Sequence, residues 1–171
     1  MMKLTVLRHA KSSWDDPGLD DFNRPLNAVG RKAARRMGRE LKLRKMHFDL
    51  VLASAAARVR ETIDGIEENY DFKAKVSFEQ SIYTASEEAL LSLVRSLPKN
   101  VHFPLFVGHN PGLERLLLML THDDEQSFRR RVAHKFPTGA LAVVKLPADD
   151  WDKVELGSGK IADLIYPKEL N

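Results

Sequence analysis

Short apolar runs alternate along the chain with segments whose apolar residues recur every three or four positions. Runs of four to eight apolar or β-branched residues predict buried strands, and the longer period predicts helices. The predicted strands cover residues 3–7, 50–53, 76–78, 104–107, 140–146 and 161–165. This repeated strand–helix alternation favours a layered α/β fold with a largely parallel sheet and helices on both faces.

The longest predicted helix covers residues 28–46 and follows Asn27, a residue type suited to capping a helix N-terminus. Four apolar residues spaced by four positions predict its buried face: Val29, Ala33, Met37 and Leu41. A second helix follows residue 53, a third covers 87–97 behind Ser86 as its cap, and a fourth covers 113–120.

Composition indicates one folded domain over residues 1–171. Apolar residues make up 43% and charged residues 30% of the chain, and no repeat or long linker divides it. The absence of cysteine excludes disulfides, thiolate zinc sites and thiol nucleophiles. The apolar stretch at the N-terminus is too short for a signal peptide or a membrane span, so we expect a cytoplasmic protein with no membrane partner.

The formal net charge of +3 suits an anionic substrate but does not by itself indicate nucleic-acid binding. The predicted helix over 28–46 is rich in Lys and Arg, which we interpret as a solvated face rather than a nucleic-acid or lipid surface. The run 129–131 is a weaker candidate for docking an acidic protein.

Unusual residues follow three of the predicted strands. The first strand ends at Arg8 and His9, the second is followed by Arg58, and the third by His109. In open α/β sheets, ligands bind beyond the carboxyl ends of the parallel strands. We therefore expect these four side chains to surround one site.

Two imidazoles and two guanidinium groups suit phosphoryl transfer. Arginine binds phosphate oxygens with a rigid fork of donors and stays charged. A neutral imidazole can attack phosphorus, and a second imidazole can stabilise an equatorial oxygen. No metal is needed, because the arginines supply the positive charge. Each residue alone could equally be a loop or surface residue, and only their conjunction favours a shared site.

The residues Leu7-Arg8-His9, the segment 54–58 and the segment 108–112 together resemble the histidine phosphatase superfamily. That resemblance implies a phosphoglycerate mutase-like fold, a three-layer sandwich around a mostly parallel sheet. The opening segment 8–14 and the segment 24–27 are similar, more narrowly, to the SixA-type phosphohistidine phosphatases.

The resemblance implies a role for each matching residue. His9 becomes the phosphoryl acceptor, Arg8 and Arg58 bind phosphate, and His109 is the second imidazole of the pocket. Two further residues are expected at the site rim: Arg24 and Asn110. The resemblance implies neither a cofactor nor a metal.

Arg60 matches no family position, so it ranks below Arg58. Two departures from the family pattern are visible. Ala10 stands where much of the superfamily has glycine. Residues 81–85 also lack the carboxylic acid that protonates an alkoxide leaving group. Glu87 and Glu88 follow, but we interpret them as charges of a helix's first turn.

The missing acid points to a phosphorus–nitrogen substrate, because an imidazole leaves without the help of a proton donor. Aryl and acyl phosphates would meet this condition equally well. We therefore expect a phosphorylated protein of the histidine phosphotransfer type as the substrate. The alternatives are a phosphatase of small phosphomonoesters with an unidentified acid, a non-catalytic phosphate- or nucleic-acid-binding module and, last, a mutase. Residues 157–160 are expected to form a hairpin turn rather than a phosphate loop.

Overall fold

Six strands form one twisted sheet in the computed structural model, which describes residues 2–170. The strands are β1 (Met2–Arg8), β2 (Leu50–Ser54), β3 (Val76–Glu79), β4 (Pro104–Gly108), β5 (Leu141–Leu146) and β6 (Lys160–Ile165). Their order across the sheet is β3-β2-β4-β1-β5-β6. Neighbours from β3 to β1 are parallel, whereas β5 is antiparallel to both β1 and β6. The prediction of a largely parallel sheet is confirmed.

Helices cover both faces of this sheet. They are α1 (Ala28–Leu43), α2 (Ala57–Glu67), α3 (Gln80–Tyr83), α4 (Glu87–Arg95), α5 (Gly112–Leu120) and α6 (Phe128–His134). Apolar side chains of α1 and α2 pack in one core with Val51 and Leu105 of the sheet. Those of α4, α5 and α6 pack in the other core, with Leu4 and Phe106. The result is the expected three-layer arrangement.

The helix α1 differs from its prediction in both length and face. It ends at Leu43 rather than at residue 46, because Lys45 has a left-handed φ of 54°. Val29 is 62% exposed, and the buried face consists of Gly30, Ala34, Met37, Gly38 and Leu41. A strict four-residue spacing drifts around a helix of 3.6 residues per turn, so Val29 leaves the face that Leu41 occupies.

Glycine at the α1–α2 contact explains why the buried face is not the most apolar one. A Cβ atom at Gly38 would lie 2.3 Å from the carbonyl oxygen of Ile66. Similarly, a Cβ atom at Gly65 would lie 2.6 Å from the Cβ atom of Ala34. Small residues therefore let the two helix backbones approach closely, and a count of apolar side chains misses that requirement.

Two predicted caps are confirmed, and one turn is corrected. The Asn27 side chain accepts a hydrogen bond from the Gly30 amide (2.8 Å), and Ser86 accepts one from Ala89 (3.1 Å). Helix α4 ends at Arg95, two residues before the predicted end. Gly157 lies in a turn with a φ of 72°, but residues 147–159 separate β5 from β6, so the connection is longer than a hairpin turn.

The sheet register places the ends of β1 and β4 side by side. Arg8 is paired with Gly108, so His9 and His109 leave the sheet at the same edge. The segment 136–140 leads into β5 at this edge too, where the Gly139 amide donates to the carbonyl of His9 (2.8 Å). None of the helices in residues 2–170 combines the length and apolarity needed to cross a membrane.

Candidate active site

The His9 ring is held in a defined orientation at the end of β1. Its Nδ1 lies 2.6 Å from the carbonyl oxygen of Ala10. A carbonyl oxygen can only accept, so Nδ1 carries the proton. In the neutral ring, Nε2 therefore keeps its lone pair, which is the arrangement that a nitrogen nucleophile needs.

Burial keeps the His9 imidazole neutral. Only 6% of the residue is exposed, and loss of hydration lowers the pKa of His9 to about 3. The positive charges of Arg58 and Arg8 act in the same direction. The Nε2 lone pair is thus available throughout the neutral pH range.

His109 stands beside His9 as the second imidazole. The two ring centroids are 5.2 Å apart. His109 Nε2 lies 2.8 Å from the hydroxyl of Ser54, which already accepts a hydrogen bond from the Ala56 amide (3.2 Å). Ser54 can then donate its proton to Nε2, which leaves the proton of a neutral His109 on Nδ1. Burial, followed by the charge of Arg58, lowers the pKa of His109 to about 4.

Arg58 enters the site from the first turn of α2. Its guanidinium donates to the Asp21 backbone carbonyl (2.7 Å) and to the Asp21 carboxylate (3.1 Å). Arg8 reaches the same cavity from β1 and donates to the Phe136 carbonyl (3.1 Å). Only 6% of Arg58 is exposed, so its direction is fixed by its surroundings.

Three buried nitrogens of this site have no hydrogen-bond partner among the described residues: Arg8 Nε, Arg58 Nε and His109 Nδ1. An unsatisfied buried donor costs about 1–3 kcal/mol. An anion with several oxygens, such as phosphate, would supply the missing hydrogen-bond acceptors. These three nitrogens without hydrogen-bond partners therefore favour an oxyanion-binding site.

The expected rim residues Arg24 and Asn110 line the same cavity, which has a volume of about 560 Å³ and also contains Arg8, His9, Arg58 and His109. Arg24 donates to the Ser12 hydroxyl (2.7 Å) and lies over the Trp14 indole, 3.5 Å from its centroid. Asn110 donates to the Phe136 carbonyl (2.8 Å).

Arg60 points away from the cavity. It donates to the Ala55 carbonyl (3.0 Å) and lies 4.0 Å from the centre of the Phe78 ring. Its ranking below Arg58 agrees with this position.

Sequence reasoning missed Asp21 and Tyr83. The Asp21 carboxylate accepts hydrogen bonds from Arg58, Arg24 and the Tyr83 hydroxyl. The bond from Tyr83, followed by those from the arginines, lowers the pKa of Asp21 to about 2. Asp21 lies in a short 3₁₀ turn (Asp21–Asn23) without apolar periodicity, so the only available signal was its nearness in sequence to Arg24.

A second cavity of about 390 Å³ shares Arg58, His109 and Asn110 with the first. Glu87 lies on its wall, 3.9 Å from Arg115, whereas Glu88 is exposed and does not line it. Within residues 2–170, no three His, Asp or Glu side chains are grouped as metal ligands.

The lowered histidine pKa values predict an unusual titration. An ordinary imidazole gains its proton near pH 6.5, but His9 and His109 should remain neutral from pH 8 down to about pH 5. Proton NMR should show two ring signals that do not shift over this range, assigned by their loss in His9→Ala and His109→Ala. Signals of either ring with a midpoint near 6.5 would contradict the burial argument.

The lowered pKa values of His9 and His109 also predict how the stability of the protein changes with pH. Between about pH 4 and pH 6.5 the unfolded chain binds more protons at these two residues than the folded chain. The free energy of unfolding should therefore fall as the pH drops through this window. Their unfavourable contribution is absent above about pH 6.5.

Neutral imidazoles and arginines lie together at the carboxyl edge of the parallel strands, an arrangement suited to binding an oxyanion, and comparisons with known proteins show the family of the chain. The family model of the histidine phosphatase superfamily (branch 1) matches residues 4–81. An uncharacterised protein of Mycobacterium tuberculosis is 30% identical over 95% of this chain and all of its own length. An uncharacterised chloroplastic protein of Arabidopsis thaliana is 33% identical over 96% of this chain and 78% of its own.

The chain belongs to the histidine phosphatase superfamily. Within that superfamily it is similar to solved structures of the SixA type. A structure from Agrobacterium tumefaciens, provisionally named phosphohistidine phosphatase SixA, is 29% identical and superposes with a TM-score of 0.79, covering 97% of this chain and 98% of that one. A protein histidine phosphatase SixA complexed with tungstate shares the fold at 20% identity, with a TM-score of 0.80 over 98% and 99% of the chains.

Proposed function

We propose that this protein hydrolyses phosphohistidine on a protein substrate, by way of a phosphoryl group carried on His9. The observation that supports this most is the neutral His9 ring, with Nε2 unprotonated, beside three unpartnered N–H groups of Arg8, Arg58 and His109. These parts provide a nucleophile and a phosphate cradle in one cavity.

In the first step, His9 Nε2 attacks phosphorus and forms a new P–N bond. The P–N bond of the substrate breaks, and its electron pair goes to the ring nitrogen of the substrate imidazole. That imidazole, protonated on its other nitrogen, leaves as a neutral group. The Ala10 carbonyl holds the Nδ1 proton of His9 and stabilises the positive charge that the ring gains.

In the second step, water attacks phosphorus, and the bond between phosphorus and His9 breaks. The ring returns to its neutral form, and both protons of the water leave with the dihydrogen phosphate ion. Arg8, Arg58 and His109 hold the equatorial oxygens in both steps. The dianionic phosphoryl group raises the proton affinity of His109, which strengthens its hydrogen bond. In this proposal the reaction needs neither metal nor cofactor.

The proposed preference for a phosphorus–nitrogen bond follows from the protonation states of Asp21 and Tyr83. Asp21, with a pKa of about 2, is ionised and has no proton to give. The pKa of Tyr83 is raised, first by burial and then by Asp21, and its proton is directed at Asp21. Neither Asp21 nor Tyr83 would therefore protonate an alkoxide leaving group, whereas an imidazole does not require a proton donor.

Two peptides of one sequence, carrying phosphohistidine or phosphoserine, test this preference. We expect kcat/KM for phosphohistidine to exceed that for phosphoserine by about 10²–10⁴-fold, the usual contribution of a general acid. Asp21→Asn should lower both values by the same factor, because it disturbs Arg58 and removes no proton donor.

Equal turnover of the two peptides would favour the alternative function, a phosphatase of small phosphomonoesters. The position of Glu87 on the second cavity supports that candidate. In that case Glu87→Gln should abolish phosphoserine hydrolysis alone, and Glu88→Gln should be the silent control.

A further inference from the structure

A groove beside the site remains unexplained by the catalytic steps. We call it the α6 groove, and its lining is Ser127, Arg130, Arg131, His134, Lys135, Pro137, Tyr166 and Lys168. Its volume is about 490 Å³. The floor is partly apolar, since the Tyr166 ring and Pro137 contribute to it.

Apart from Tyr166, the ionisable side chains that line the α6 groove are all of basic types. Five of its eight lining residues are basic types, and none is a carboxylate. Arg131 lies over the Tyr166 ring and is paired with Glu169, which neutralises it. Arg130, His134 and Lys168 are exposed and form no ion pair with a carboxylate within residues 2–170. These three side chains are available to a negatively charged partner.

The run 129–131 thus divides into different roles. Arg129 donates to the carbonyls of Thr121 and Leu118 (3.1 and 3.0 Å) and so caps the end of α5. Arg131 is occupied by Glu169, and only Arg130 faces the groove with a free charge. The weak expectation of a docking run from the sequence is therefore replaced by a groove built from two chain segments.

One short segment, residues 136–138, contributes to both the α6 groove and the candidate active site. Pro137 lines the groove, and the next residue, Thr138, lines the cavity that holds His9. The preceding carbonyl, that of Phe136, accepts hydrogen bonds from Arg8 and Asn110. The groove and the phosphoryl site are therefore neighbours, and a bound protein could contact both.

We propose that the α6 groove docks an acidic segment of the protein that carries the phosphohistidine. The inference rests on the proposed function for the identity of the phosphoryl carrier. Charge complementarity selects the segment, because Asp and Glu side chains are the partners that Arg130, His134 and Lys168 lack. The apolar floor distinguishes a polypeptide with mixed side chains from a simple counter-ion.

Two fluorescent peptides with a non-hydrolysable phosphohistidine analogue test the groove by direct binding to the wild-type enzyme. One has three Glu residues beside the analogue, and the other has three Gln residues. Three exposed ion pairs together should make the Glu peptide bind about tenfold more tightly at low salt. That advantage should vanish near 1 M salt, where the screening length is about 3 Å.

The double variant Arg130→Glu, Lys168→Glu should remove the preference for the Glu peptide at low salt. Its matched control is the double variant Lys32→Glu, Arg39→Glu, which makes the same change in net charge. Both residues are exposed on α1, on the opposite face of the sheet, and this variant should keep the preference. Equal affinity of the two peptides for the wild type would overturn the groove proposal. So would an equal loss in the control, since the preference would then come from the net charge of the whole protein.

Turnover of the corresponding true phosphohistidine peptides separates this proposal from the function itself. A Glu preference in binding without any turnover would overturn the proposed function and support the groove. Turnover without any preference for the Glu peptide would support the proposed function and overturn the groove proposal. A single-stranded oligonucleotide of equal charge that binds more tightly than the Glu peptide, and loses this binding in the double variant, would overturn the choice of a protein partner.

Discussion

His9→Ala should lower kcat/KM for a phosphohistidine peptide by at least about 10³-fold, because it removes the atom that accepts the phosphoryl group. The substitution leaves Arg8, Arg58 and His109 in place, so phosphate binding should persist. Steady-state kinetics give the first value, and isothermal titration with inorganic phosphate gives the second. The combination of lost turnover and retained binding is specific to a nucleophile.

The histidine control for this experiment is His122→Ala. His122 is exposed and lies outside both cavities that contain His109, so its loss should change kcat/KM by less than about twofold. A His9→Ala enzyme that retained a tenth or more of the wild-type rate would remove His9 from the mechanism.

Arg58→Ala should lower kcat/KM by about 10²–10³-fold, the usual loss when one donor to a transition-state oxyanion is removed. Arg58→Lys should recover only part of this, because an ammonium lacks the planar fork of donors. Arg58 also pairs with Asp21, so thermal unfolding should accompany the kinetics to separate lost activity from lost stability.

Arg60→Ala is the matched control, since it removes the same side chain two residues further along α2. Arg60 contacts Phe78 and the Ala55 carbonyl outside the cavity, and its loss should leave kcat/KM within about twofold of the wild type. Equal losses in the two variants would indicate a general effect of positive charge. That result would contradict a direct contact of Arg58 with phosphate.

The sequence alone predicted much of the site because its residues follow strands. A buried strand is visible as an apolar run, and parallel neighbours must end at the same edge of a sheet. This geometry brings His9 and His109 together, although 99 residues separate them in the chain. Arg58 follows from the same argument, because β2 lies next to β4.

Asp21 could not be found in this way. It reaches Arg58 from a 3₁₀ turn, and the position of such a turn depends on tertiary contacts rather than on local periodicity. The direction of the Ser54 hydroxyl toward His109 also depends on pairing between strands that are distant in sequence. The buried face of α1 was misplaced for a related reason, since its contact with α2 requires Gly38 and not a larger apolar residue.

Rapid quenching can trap the phosphoryl group on His9 before water removes it. The enzyme is mixed with a peptide carrying ³²P-labelled phosphohistidine, quenched in alkali within milliseconds, digested and mapped by mass spectrometry. We expect a label that is stable in base, labile in acid and located on His9, and that is absent from His9→Ala. A label on any other residue, or full turnover with no labelled enzyme at any time, would contradict it.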